Sequence, residues 1–183
     1  MKVDNRKDII LLLLYIAGYS GKTNEPVEGF TRLQKLLFLL DKEYKIGKLV
    51  PNYFHFVAFD YGPFDETIFS DIEALVNYGL VDKNEEDKPK QEDSIERQFL
   101  SDYFYEKEDG DGRESQEQEH MEVFKLTPKG ETVAQQLYSS LNPNVKDCFI
   151  KLKKRFNQRS LTSLIQYVYT NFPEYTKYSK LRY

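Results

Sequence analysis

The chain has 183 residues, of which 40% are hydrophobic and 31% charged, and its formal net charge is −4. That length accommodates one ordinary domain with a full hydrophobic core, and the composition argues against a globally disordered chain. Its single cysteine, Cys148, excludes an internal disulfide and a cysteine-rich zinc site, and it favours a reducing, cytoplasmic compartment.

The first predicted helix spans residues 4–18 and is apolar on most of its surface. We expect it to lie at the centre of the core and to end at Gly18. A signal peptide is the alternative for the apolar run at 9–17, but Asp4 and Asp8 lie in what would be its positive region. The run is also too short to cross a bilayer, so no membrane contact is predicted.

The strongest local pattern is a helical spacing of leucines. Residues 31–44 predict a second helix, and its inward face carries Leu33, Leu36, Leu37 and Leu40. We expect this face to be part of the core.

A short extended segment separates the second helix from the third. Residues 54–59 predict a strand, and Gly62-Pro63 predicts a turn directly after it. The third helix is predicted over 65–78. Asp65 is expected to cap its start, and Gly79 is expected to supply the left-handed residue at its end.

Residues 82–122 are strongly acidic, with 16 acidic and 6 basic side chains, and much of this insert is expected to be mobile. Residues 99–105 and 121–126 nevertheless predict an antiparallel hairpin, a long acidic wing, because turn-forming residues lie between them. The turn at 109–112 has the composition of a calcium loop. His120 occupies the position of the required glutamate, so a solvated turn is favoured over a metal site.

Three more helices are predicted in the C-terminal part: one that begins at Thr127-Pro128, a basic one over 145–157 and a shorter one over 161–172. The complete order of elements predicts an α+β, mostly helical fold, a winged helix-turn-helix-like domain over residues 1–141. Residues 142–183 are expected to be a C-terminal helical extension packed on the same domain.

The sequence carries no pattern typical of an enzyme. A nucleophile with its base, a metal-ligand set and a phosphate-binding glycine loop are all missing from it, so we predict a protein without catalytic residues, cofactor or metal. His55 is expected to pack in its strand, and His120 to lie in a solvated loop. A reaction supported by His55, Asp60 and Tyr61 is the third and least favoured hypothesis.

The third helix carries acidic residues where a DNA-binding winged helix needs cations. Asp65, Glu66, Asp71 and Glu73 would lie near DNA phosphates and oppose binding. We therefore predict that these carboxylates engage a basic surface of another protein. The C-terminal tyrosines, whose rings either contact that partner or pack on their own domain, are Tyr167, Tyr169, Tyr175 and Tyr178.

Basic residues gather in one helix of the C-terminal extension. The set comprises Lys146, Lys151, Lys153, Lys154, Arg155 and Arg159. A solvated helix face that complements the acidic half of the protein, or of a homodimer mate, is the favoured interpretation. The alternative is a DNA-binding transcription regulator that uses residues 145–159, with nucleic acid as the less favoured partner.

Three short motifs resemble a known family: TRLQKLLFLL at 31–40, YGPF at 61–64 and LTPKG at 126–130. They look like small prokaryotic winged-helix proteins known as YwgA-like predicted regulators and, more distantly, the Panacea or SocA-like antitoxin domain. The resemblance implies a bacterial cytoplasmic protein that neutralises or regulates a partner protein encoded by a neighbouring gene. The acidic insert at 82–122 departs from the family pattern, and no catalytic residue is carried over.

Overall fold

The computed structural model describes residues 2–46, 53–87, 95–96, 98–99 and 120–181. Within those ranges the fold is α+β, with small antiparallel sheets, as predicted. The helices are α1 (Arg6–Tyr15), α2 (Phe30–Lys42), α3 (Thr67–Asn77), α4 (Pro128–Ser140), α5 (Pro143–Phe156) and α6 (Leu161–Asn171), and a 3-10 turn follows at Pro173–Tyr175. No helix in the described ranges is long and apolar enough to cross a membrane.

The strands form two separate sheets. They are β1 (Val27–Glu28), β2 (Val57–Phe59), β3 (Gly62–Phe64), β4 (Val81–Asp87) and β5 (His120–Leu126). One sheet has the order β1-β5-β4, and β2 pairs with β3 in the other. Both are antiparallel, which allows the short connections seen around β3.

Helix α1 is the centre of the core. Asn5 and Asp8 form a reciprocal capping box at its start, so the helix begins slightly later than predicted. Every residue from Ile9 to Tyr15 is buried, because α3, α4, α5 and β5 surround the helix. A helix enclosed on all sides needs no polar face, which explains its nearly uniform apolar sequence.

Helix α2 forms hydrogen bonds to the backbone of residues 63–65, the segment that leads into α3. The Gln34 amide donates to the Asp65 carbonyl (2.9 Å), and its oxygen accepts from the Asp65 N–H (3.2 Å). The Lys35 ammonium donates to the Pro63 carbonyl at 3.0 Å. The N-cap residue of α3 is Glu66 and not Asp65 as predicted, but the Asp65 carboxylate accepts from the Thr67 N–H at 3.0 Å at the start of the helix. The polar residues of this leucine-rich helix therefore fix where the third helix begins.

The predicted partner of the last strand was wrong. Strand β5 pairs with β4, in a register from Val81↔Leu126 to Asp87↔His120, so His120 lies in a strand and not in a loop. Phe99, predicted to pair with β5, lies in a helical turn and is buried. The chain becomes extended soon after Gly79, so β4 is the first segment after α3 that can pair with β5. A Lys83–Glu122 ion pair joins the two strands. The predicted segment at 100–105 and the turn at 109–112 lie outside the described residues.

The C-terminal helices share the core of the rest of the chain. Phe149, Leu152 and Phe156 of α5 and Leu164 and Val168 of α6 are fully buried within the same hydrophobic cluster as α1 and α2. In each helix these residues recur at the spacing of one helix face.

Candidate partner-binding surfaces

Only half of the predicted acidic surface of α3 reaches solvent. Glu66 and Glu73 are exposed and form one stripe with Ser70 and Asn77. This spacing places all four side chains on one side of the helix. The stripe contains no cation.

Asp65 and Asp71 have structural positions, which corrects the prediction that they contact a partner. Asp65 is 3% exposed and accepts hydrogen bonds from the His55 N–H (2.7 Å) and from Thr67. Asp71 is 2% exposed and forms ion pairs with Arg6 and Lys7 of α1. A buried carboxylate needs such partners because desolvation disfavours its charge.

A groove lies between α3 and the two strands that follow it. Its volume is about 310 Å³. The floor is apolar and consists of the buried Phe30, Ile72 and Phe124, and half-buried Phe69 and Val76 form the α3 wall. The residues at its edge are Glu73, Asn77, Lys83 and Glu122. We call this feature the α3–strand groove.

The edge of the α3–strand groove is acidic. Lys83 is paired with Glu122 across the two strands, which leaves the exposed Glu73 carboxylate to set the local charge. Apolar surface with an exposed carboxylate at its edge suits an apolar side chain carried on a basic segment. The sequence placed Glu73 on this surface, but it gave no signal for the floor, because the floor joins residues from three distant elements.

The chain matches no family model, no curated protein and no solved structure. Within the described ranges, no group of three or more histidine, cysteine, aspartate or glutamate side chains is placed to hold a metal ion. The His55 side chain is exposed, contrary to prediction, because it alternates with the buried Phe54 and Phe56.

Three of the four C-terminal tyrosines pack on their own domain. The Tyr167 hydroxyl donates to a Glu43 carboxylate oxygen at 3.0 Å. The Tyr169 hydroxyl shares a hydrogen bond of 2.6 Å with Ser179, and the ring of Tyr175 meets that of Phe38 edge-on at 4.8 Å. Tyr178 is 70% exposed and therefore remains available to a partner.

The predicted basic set is divided in the same way. Lys153 is fully buried, which corrects its assignment to a nucleic-acid surface. Lys151 pairs with Asp147 at 2.6 Å, and Arg155 pairs with Glu43 at 3.1 Å. The Lys146 ammonium lies 4.6 Å from the centre of the Tyr138 ring. Lys154 and Arg159 are exposed, and the Arg159 guanidinium lies beside the Phe156 ring.

Lys153 instead closes a buried polar cluster. Its ammonium donates to the carbonyls of Leu14 (3.0 Å) and Glu25 (2.6 Å). The Glu25 carboxylate accepts from the Asn157 amide at 2.8 Å and from Ser20. Burial lowers the pKa of Lys153 to about 7, and the nearby Glu25 acts in the opposite direction. Although burial itself acts to raise the pKa of Glu25, the hydrogen bonds from Ser20 and Asn157 and the charge of Lys153 outweigh it and lower that pKa.

Two residues of the acidic insert return to the core, which the sequence analysis missed. Glu96 is 3% exposed and Phe99 is 2% exposed. Burial raises the pKa of the Glu96 carboxyl, although hydrogen bonds from Thr31 and Phe30 act to lower it. Their spacing of three positions, which places both side chains on one face of a helical turn, was the available signal.

Proposed function

We propose that this chain is a non-catalytic binding protein that holds a basic, apolar-tipped segment of another protein in the α3–strand groove. The proposal includes a winged-helix architecture with β4 and β5 as the wing, and a cytoplasmic location. The acidic edge of an apolar groove is the observation that carries it: Phe69 and Val76 offer half-buried apolar surface, and Glu73 stands exposed beside them. An antitoxin-like or regulatory role is what the resemblance of the three sequence motifs implies.

The exposed stripe of α3 supports a protein partner over DNA. Glu66 and Glu73 would face phosphates if this helix entered a major groove, and no lysine or arginine lies between them to offset the repulsion. A basic protein segment would be attracted to these carboxylates, where DNA phosphates would be repelled. The same carboxylates would then speed association and select against acidic partners.

DNA binding through residues 145–159, which comprise most of α5 and the turn after it, is the second candidate function. It rests on the exposed Lys154 and Arg159, but other cations of this set are engaged with their own chain, as Lys151 is with Asp147 and Arg155 with Glu43. Each cation already paired with a carboxylate contributes less to counterion release from DNA. We therefore favour the protein partner.

The test is co-purification of a tagged chain from its native host with single variants at the groove. Glu73→Lys reverses the charge of the edge, and Val76→Asp places a carboxylate on the apolar wall. Both are expected to lose the partner, whereas the matched control Glu174→Lys, an exposed carboxylate outside the groove, retains it. Retention by all three variants would show that the groove is not the binding surface.

Duplex DNA provides the competing measurement. At a salt concentration of about 50 mM, the second candidate function predicts binding that weakens steeply as salt is added. It also predicts that the double variant Lys154→Glu and Arg159→Glu abolishes binding and that Glu73→Lys does not. That pattern, without a co-purifying protein, would replace our proposal with the regulator.

A further inference from the structure

The first turn of α2 has no cap of its own. Its cap residue is Gly29, which has φ +86° and no side chain to accept a hydrogen bond. Both oxygens of the Glu96 carboxylate take that place, at 3.0 and 2.9 Å from the Thr31 N–H. A Cβ at Gly29 would lie 3.3 Å from this carboxylate, so glycine leaves the room that the anion occupies. The free N–H at the start of α2 thus donates to a carboxylate that is distant in sequence, that of Glu96.

An aromatic pocket lies beside this carboxylate position. The Phe99 ring meets those of Tyr61 and Phe64, each at 5.6 Å between centroids, and lies parallel to Phe30 at 6.4 Å. Tyr61, Phe64 and Phe30 are themselves buried. They belong to β3, its turn and α2, so the pocket is built by elements other than the acidic insert.

A buried lysine completes the surroundings. Lys35 is 1% exposed, and burial lowers the pKa of its ammonium to about 7, while the charge of Glu96 acts in the opposite direction. We call the combination of the Thr31 N–H, Lys35, Phe30, Tyr61 and Phe64 the α2-cap pocket. It presents a positive end to a carboxylate and an aromatic cavity to a ring one helical turn further on.

We propose that the α2-cap pocket is a second recognition site, for a partner-protein segment with a carboxylate one helical turn before an aromatic ring, and that Glu96 and Phe99 are its exchangeable resident. The resident pair shows the chemistry that fits. Because Glu96 and Phe99 belong to the same chain as the pocket, the pair competes as a linked ligand with an effective concentration on the order of millimolar. This site is independent of the proposed function, since it involves neither Glu73 nor Val76.

The test uses a fluorescent peptide of residues 91–103 as the probe. The double variant Glu96→Gln and Phe99→Ala removes the competing resident while leaving the pocket intact. Anisotropy titration is expected to show saturable one-to-one binding to this variant and weaker binding to the wild-type chain. A control peptide with the same two changes is expected to bind roughly tenfold or more weakly, because it lacks the charge-assisted hydrogen bond and the ring. Equal binding of both peptides, or none by the folded variant, overturns the proposal.

Native-state hydrogen exchange on the wild-type chain covers the case in which the double variant fails to fold. The amides of Phe30 and Thr31 are expected to exchange through a local opening, well before those of Leu36 and Leu37 on the same helix. Exchange of all four only on global unfolding would make the resident segment a fixed part of the fold and would refute the proposal.

Two further measurements distinguish a foreign partner from a second copy of this chain, and this site from the α3–strand groove. A concentration-dependent wild-type dimer that the double variant loses would assign the site to a second copy of this chain and overturn the foreign partner. Adding Glu73→Lys to the double variant is expected to leave peptide affinity unchanged. The failure of one site is therefore distinguishable from the failure of the other.

Discussion

Replacing Lys153 by methionine should change how stability depends on pH. The ammonium has a folded-state pKa of about 7 because it is buried, against an ordinary value of 10.5 that the unfolded chain recovers. Between these two values the unfolded chain binds more protons than the folded one. The free energy of unfolding of the wild-type chain therefore gains a contribution that rises with pH across this window.

The magnitude follows from the two pKa values. Each unit of difference corresponds to about 1.4 kcal/mol, and the folded-state group is half protonated near pH 7. Integration from about pH 7 to about pH 9 gives roughly 2 kcal/mol from this one lysine. Lys153→Met removes that gain. Its loss of the hydrogen bonds to Leu14 and Glu25 adds a cost that varies little with pH.

Urea unfolding at about pH 7, 8 and 9 measures the effect, because the linear extrapolation yields the free energy of unfolding at each pH. The deficit of Lys153→Met relative to the wild-type chain is expected to grow by roughly 2 kcal/mol over this range. Lys154→Met removes an exposed neighbouring charge and is expected to run parallel to wild type. Parallel curves for Lys153→Met as well would refute the argument that Lys153 is buried and neutralised.

Two substitutions test the elements that place α3 and α4. Asp65→Ala removes the buried carboxylate that accepts from the Thr67 and His55 N–H groups and should lower the free energy of unfolding by about 1–2 kcal/mol, whereas the adjacent exposed Glu66→Ala should change it by less than about 0.5 kcal/mol. Gly130→Ala would place a Cβ 1.8 Å from the Leu80 carbonyl oxygen, and the backbone shift should cost about 1–3 kcal/mol in urea unfolding, with exposed Thr132→Ala as the near-neutral control. A tolerated Gly130→Ala would contradict the close approach of α4 to the chain before β4.

Local patterns predicted the helices well because their signals are local. The apolar run of α1, the leucine spacing of α2 and the Thr127-Pro128 start of α4 each depend on residues within one or two turns. Strand pairing has no comparable local signal. From the sequence, either residues 99–105 or β4 could pair with β5. The observed β4–β5 pairing depends on where the end of α3 lies in the folded chain.

The candidate sites were predicted less completely because charge counting treats every charged side chain as solvent-exposed. Lys153, Asp71 and Glu96 are buried, and each is satisfied by a partner far away in sequence: carbonyls of α1 and its loop, cations of α1, and the first turn of α2. Such pairings become visible only when the elements are packed. The exposed Glu66 and Glu73 are the part of the acidic surface that residue type alone located correctly.

The Lys153 cluster also joins two helices that leave the ribosome at very different times during synthesis. Leu14 and Lys153 are 139 positions apart, so the carbonyl near the end of α1 waits for its donor until α5 has left the ribosome. Until then the apolar surface of α1, which is made first, lacks the contacts that α5 makes with it. A nascent chain that stops before α5 therefore exposes apolar residues of α1 that are buried in the complete fold, which makes it a substrate for chaperones and proteases.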